Sequence, residues 1–156
     1  ITIKSENKPE LVIALLKASK PEVCKKIGDA SLNALIAISK RYNSTGKSSC
    51  YIAYKDEVAI AGIIYFFYKN KMIYYQGSSL PEYKNCGAMS LIIWKSIEWN
   101  HGKYNYLDLD GSMIESIEKF FRGFNAFPVH YHEFELNRLA WYQKLILKFK
   151  NLLEFK

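Results

Sequence analysis

Four side chains in this sequence could move a proton. Asp108 and Asp110 stand two apart in the run YNYLDLDGS, Glu115 follows close behind, and Tyr75 ends an earlier aromatic stretch. On a strand, period-two spacing puts Asp108 and Asp110 on one face. Like carboxylates sharing a face repel, which raises the pKa of one and makes it a candidate base. A second reading of the same residues is the preferred one. Asp110 or Ser112 caps the next helix, and Ser112 with Glu115 spells the S-x-x-E start of a capping box. Lys119 and Arg122 lie one helical turn apart, so they could hold an anionic substrate or form a solvated face.

Other reactive residues are less well supported. His130 and His132 alternate on one expected strand, but His101 lies elsewhere and no third ligand is indicated, so no metal is expected. Cys86 precedes a helix start, where a thiolate is favoured; with no evident His partner it reads as a bystander. Tyr65, Phe66, Tyr74 and Tyr75 suit a core or a cleft lining better than a base-stacking platform.

The elements that must position these residues follow from apolar periodicity and breakers. A short strand over 1–4 leads to a helix over 10–20 that begins near Pro9. Pro21 breaks or kinks it, and 22–27 continues it. Asp29 or Ser31 could cap a helix over 31–42 with Leu32, Leu35, Ile36 and Ile38 inward. A polar loop, 43–49, precedes three strands at 51–55, 58–68 and 72–76. Tight turns at Asp56–Glu57 and Asn70 make them an antiparallel meander. The middle strand is apolar on both faces, with Val58, Ile60, Ile64 and Phe66 on one and Ala59, Ala61, Ile63 and Tyr65 on the other. Such a strand belongs to a sheet covered on both sides. Gly62 within it marks a bulge or a close backbone approach.

After the loop 77–87 comes a helix over 88–100, with Leu91, Ile92, Trp94, Ile97 and Trp99 as its apolar surface and Gly102 beyond its end. The strand 104–109 then returns parallel to its neighbour, because a strand, a helix and a strand make a crossover. A helix over 114–124, a strand over 129–136 and a helix over 141–155 complete the chain. The basic amphipathic segment 139–156 could lie on an anionic membrane; docking on a protein core is the preferred reading. The whole is a mixed α/β (α+β) fold.

Composition bounds the function. At 156 residues the chain suits one domain or half of a tandem pair. Its hydrophobic fraction of 49% excludes disorder as a class. The longest apolar run, 58–68, is too short to span a bilayer. Three scattered cysteines with no CxxC fit reduced thiols in a cytoplasm. The net charge of +7 suits an anionic partner such as a nucleotide cofactor, RNA or a lipid surface. The opening Ile1 suits an excised fragment.

The element order, with MIYYQGSS, AMSLIIWKSIEW, YNYLDLDGSMIESIEKFFRGFNA and VHYHEFELNRL in sequence, resembles the GNAT acyltransferase fold. Within it, residues 50–140 are similar to the C-terminal half of FemAB-like acyltransferases. Leu109, Gly111, Ser112, Ile117, Phe120, Phe121, Phe124 and Tyr131 carry that likeness. Asn125 stands where the family usually has Gly, and Ser116 where a Gly is common. Asn tolerates a left-handed backbone, so Asn125 can keep the turn.

The resemblance implies acyl transfer to an amine. The GNAT pyrophosphate cradle follows a strand at a helix N-terminus, where free N–H groups meet an anion. Lys84, Asn85, Cys86, Gly87, Ala88 and Met89 form the comparable segment, with Lys84 in place of Gln or Arg and Met89 in place of a final Gly or Ala. The implied donor is an acyl-coenzyme A or an aminoacyl-tRNA, and a tandem protein would add an N-terminal GNAT-like half that shapes the acceptor cleft. Two other classes stay open: a non-catalytic GNAT-like scaffold, and a basic RNA- or membrane-surface binder.

Overall fold

The computed structural model describes residues 1–110, 114–129, 132, 138–140 and 142–144. The chain divides into two compact units, Ile1–Ala126 and Phe127–Lys156. In the second, the Lys144 N–H donates to the Ala140 carbonyl at 3.1 Å. Gln143 Oε1 accepts from the Ala140 N–H at 3.0 Å, which starts a helical turn. Most of the strand expected over 129–136 and of the helix expected over 141–155 lies outside the described residues.

The first unit is a five-stranded sheet in the order β1-β2-β3-β4-β5. Its strands are β1 (Thr2–Glu6), β2 (Ser48–Lys55), β3 (Val58–Tyr68), β4 (Lys71–Ser79) and β5 (Tyr106–Asp108). The first four are antiparallel neighbours and β5 joins β4 in parallel. Two-residue turns set the meander. Asp56 and Glu57 adopt φ of 50° and 64° between the closing pair Lys55 and Val58, a backbone whose twist matches the strands it joins. Lys69, at φ 53°, turns the chain again between Tyr68 and Lys71.

Helices α1 (Pro9–Ser19), α2 (Pro21–Ile27) and α3 (Asp29–Asn43) cover one face, and α4 (Ala88–Asn100) and α5 (Glu115–Arg122) the other. Val12, Ile13, Leu16, Cys24 and Leu32 meet Cys50, Ile52 and Ile64 on the first face. Ile92, Ile93 and Phe121 meet Tyr51, Ile63, Tyr65 and Met72 on the second. Burial of each large aliphatic side chain contributes roughly 1.5–3 kcal/mol. Gly62 permits the tight fit of α1: a Cβ there would lie 2.9 Å from Val12 Cγ2.

Two bulges change the strand faces expected from strict alternation. Ala53 pairs with Ala61 and Tyr54 with Ala59, so Ile60 is the extra residue on β3. Ile60 therefore joins Ala61, Ile63 and Tyr65 toward α4, while Ala59 packs with Phe66 on the opposite face. Ile64 pairs with Gln76 and Tyr65 with Tyr74, so Tyr75 is the extra residue on β4.

Several helix details also differ from expectation. Gly28, at φ 81°, precedes α3 in place of a side-chain cap, and Asp29 instead ion-pairs with Lys17 at 2.6 Å. Ile38 faces outward, 47% exposed, and Ser39 takes the buried position. On α4 the buried residues are Ala88, Ile92, Ile93, Ser96 and Asn100, while Trp94 and Trp99 are exposed. The polar members hide that face from a hydrophobic count. Asn100 Nδ2 donates to the Tyr51 hydroxyl and the Ser96 carbonyl, each at 2.7 Å. Ser96 Oγ lies 3.0 Å from the Tyr65 hydroxyl.

Candidate acyl-donor site

Three rungs join β4 to β5: Lys71 with Tyr106, Met72 with Leu107, and Ile73 with Asp108. Beyond them β4 runs on through 74–79, with no strand partner on its outer side among the described residues. β5 ends at Asp108 and the chain turns away, Asp110 taking φ 50°. Among the described residues a gap therefore opens along the last part of β4.

The residue just past the last rung is Tyr74. In phase with buried Met72 two residues before it, Tyr74 faces α4 and α5, where its ring meets Tyr65 edge-on at 5.9 Å and Phe121 at 5.5 Å. Burial alone pushes its phenol well above the ordinary value; neither a hydrogen bond nor a charge contributes. Its hydroxyl reaches over Gly77: a Cβ on Gly77 would overlap that oxygen and lie 2.9 Å from Met89 Cε. Met89 belongs to the first turn of α4, so one small volume joins the β4 gap to the α4 start.

The loop into α4 is exposed at Lys84, Asn85, Cys86 and Gly87, while Ala88 is 1% exposed. A short 3₁₀ turn, Pro81–Tyr83, precedes it. Gly87 sits at φ 78°, with no side-chain hydrogen bond capping the helix. The first amides of α4 thus carry no side-chain acceptor at an end where partial positive charge gathers.

The sequence-derived acid/base candidates do not converge. Asp110 lies off the strand, so it does not share a strand face with Asp108. Asp108 Oδ1 accepts the Asp110 N–H at 3.1 Å, and Asp108 Oδ2 lies 3.9 Å from Lys71 Nζ. Tyr75 turns the opposite way from Tyr74; it is 51% exposed and its ring meets Phe66 edge-on at 5.2 Å. Glu115 is the first residue of α5, whose N-cap is Ile114 with no side-chain cap bond. Ser112, the other half of the expected capping box, lies outside the described residues. Arg122 places Nε and Nη2 at 3.0 and 2.6 Å from Glu118 Oε1, which commits its guanidinium to a neighbour one turn back. Lys119 is exposed. Asn125 holds φ 60°, the left-handed turn expected of it.

Sequence reasoning gave Tyr74 a core or cleft-lining place and chose its neighbour Tyr75 as the acid/base candidate. Gly77, placed by that reading in a loop, was the available signal: a glycine three residues on leaves space for a large side chain. Among the described residues, no group of three or more His, Cys, Asp or Glu side chains could hold a metal, and no helix is long and apolar enough to cross a membrane.

No family model and no curated protein matches the chain. Solved structures do. An aminoglycoside N-acetyltransferase in complex with coenzyme A matches with TM-score 0.65 and 17% identity, over 88% of this chain and 96% of that one. A possible acetyltransferase from Clostridium difficile 630 matches with TM-score 0.65 and 11% identity, over 89% and 98%. A transcriptional regulator from Bacillus halodurans C-125 matches with TM-score 0.62 and 12% identity, over 87% and 98%. At these identities the likeness is one of fold. The chain has the GNAT acetyltransferase fold, a mixed sheet with helices on both faces.

Proposed function

We propose that this chain is an acyltransferase that takes an acyl group from a coenzyme A thioester and passes it to an amine. The observation that carries this reading is the parting of β4 and β5 after the Ile73–Asp108 rung, beside the start of α4. An extended donor arm could pair with the open edge of β4, as an added strand would. Its pyrophosphate would meet the amides that follow Gly87, with Lys84 as a nearby cation. The coenzyme A bound by the aminoglycoside acetyltransferase of like fold supports the choice of donor. Asp108, Asp110, Tyr75 and Glu115 remain the candidates for proton removal, and Lys119 the candidate for an anionic acceptor. An aminoacyl-tRNA donor, as in FemAB-like proteins, is the variant that the basic charge favours.

A scaffold is the second reading. It is favoured by the Tyr74 and Met89 side chains that occupy the gap beside Gly77, and by the commitment of Arg122 to Glu118 and of Asp108 to the Asp110 turn.

Calorimetry with coenzyme A and acetyl-coenzyme A on the chain and on Gly87→Val separates these readings. Valine resists a φ of 78°, so the variant should distort the α4 start. Binding by the parent that the folded variant loses is the expected result. A parent that binds neither ligand would set the coenzyme A donor aside and direct the next titration to aminoacyl-tRNA.

A further inference from the structure

We propose that Tyr74 binds the arm of the donor, through its phenolic hydroxyl, at the amide-bearing stretch between the thioester and the pyrophosphate. This rests on the donor reading above and assigns it a side chain that the sequence did not single out. Three observations place the hydroxyl there. Tyr74 is the first β4 residue beyond the last rung shared with β5, so it stands where the strands part. Alternation with buried Met72 puts its side chain on the α4 face, and the bulge at Tyr75 brings Gly77 to the same face. Its oxygen then lies over Gly77 and beside Met89 Cε, between the gap and the α4 start.

The hydroxyl is available. Tyr65, the neighbouring buried tyrosine, has Ser96 as a hydrogen-bond partner, whereas the Tyr74 phenol is influenced by burial and by no hydrogen bond. Tyr74 is only partly buried, which leaves its side chain within reach of a ligand. Burial holds it protonated across the physiological range, so it presents an O–H donor to a carbonyl and a lone pair to an amide N–H. Tyr65 and Phe121 hold the ring from two sides, so little side-chain freedom remains to be lost on binding. A nucleotide without the arm would meet the α4 start and never reach this oxygen.

The test is calorimetry of the whole chain and of Tyr74→Phe with two probes, coenzyme A and adenosine 3′,5′-bisphosphate, which keeps the adenosine, the 3′-phosphate and one 5′-phosphate of coenzyme A and lacks the arm. Removing one hydrogen bond should weaken coenzyme A by about five- to tenfold and leave the bisphosphate unchanged. Gly77→Ala, which pushes the hydroxyl aside while keeping it, should reproduce the selective loss. Circular dichroism confirms that both variants fold. Equal affinity of parent and Tyr74→Phe for coenzyme A would overturn this assignment and leave the donor reading standing. Equal weakening of both probes would make Tyr74 a packing residue and overturn it too. Failure of the parent to bind coenzyme A would overturn the donor reading, and this inference with it.

Discussion

The Tyr74 hydroxyl occupies the place where a side chain on Gly77 would begin. The two positions lie on one strand and are brought to the same side by the extra residue at Tyr75. Gly77→Ala must therefore displace a ring that packs on Tyr65 and Phe121. Overpacking of this kind costs about 1–3 kcal/mol. The expected outcome is a lower urea midpoint with an unchanged slope. Part of the cost should return in Gly77→Ala/Tyr74→Phe, because residues in contact couple. Strictly additive effects would mean that the two do not compete for space.

How much of this was legible depended on whether local chemistry decided it. The turns at Asp56–Glu57 and Asn70, the apolar run of β3 and the bounds of α4 were readable, because breakers and apolar runs act within a few residues. The parallel return of β5 followed from the crossover that α4 makes. The bulges at Ile60 and Tyr75 were not readable, because a partner strand several residues away sets them. Each bulge reverses strand phase, and one of them puts Gly77 on the Tyr74 side of β4 at the candidate site. The buried face of α4 was obscured for another reason: Ser96 and Asn100 look like surface residues until Tyr65 and Tyr51 supply their partners.

Asp108 joins β5 to the turn that follows, through the Asp110 N–H. Asparagine offers the same acceptor and gives up only the contact with Lys71 at 3.9 Å, between half-exposed groups. Exposed pairs contribute little. Asp108→Asn should match the parent in stability within about 0.5 kcal/mol, while Asp108→Ala should lose about 1 kcal/mol with the missing hydrogen bond. Chemical denaturation of the three proteins compares them. Equal loss in both variants would show that the charge, and not the turn, matters.

Asn100 links α4 to the sheet by donating to the Tyr51 hydroxyl and the Ser96 carbonyl. Its residue is only 9% exposed. Asn100→Leu would leave the Tyr51 oxygen without this donor in a dry setting, a loss of about 1–3 kcal/mol. Tyr51→Phe removes the other partner, so the double variant should lose less than the two single losses together. Thermal unfolding of the four proteins measures the coupling, and a coupling near zero would count against the bond.

Tyr54 and Glu6 join β2 to the edge strand β1 and should make stability depend on pH at both extremes. The Tyr54 hydroxyl donates to Glu6 Oε2 at 2.5 Å. That bond is the main reason the Glu6 carboxyl lies below its ordinary value of 4.5. A lowered folded value gives stability that is complete above about pH 4.5 and is lost as the pH falls through the folded value. Tyr54 is pushed up to about 12, first by burial and then by the Glu6 carboxylate. Its contribution is complete below the ordinary tyrosine value of 10.0 and is lost as the pH rises toward about 12. Tyr54→Phe removes the alkaline dependence and the largest part of the acid one, the rest of which Lys8 and Lys4 sustain. Near neutral pH it should be about 1 kcal/mol less stable than the parent, and the difference should shrink below pH 4.5 and again between pH 10 and 12. Urea denaturation across that range reads both windows, and a constant offset at every pH would rule out the pair as their source.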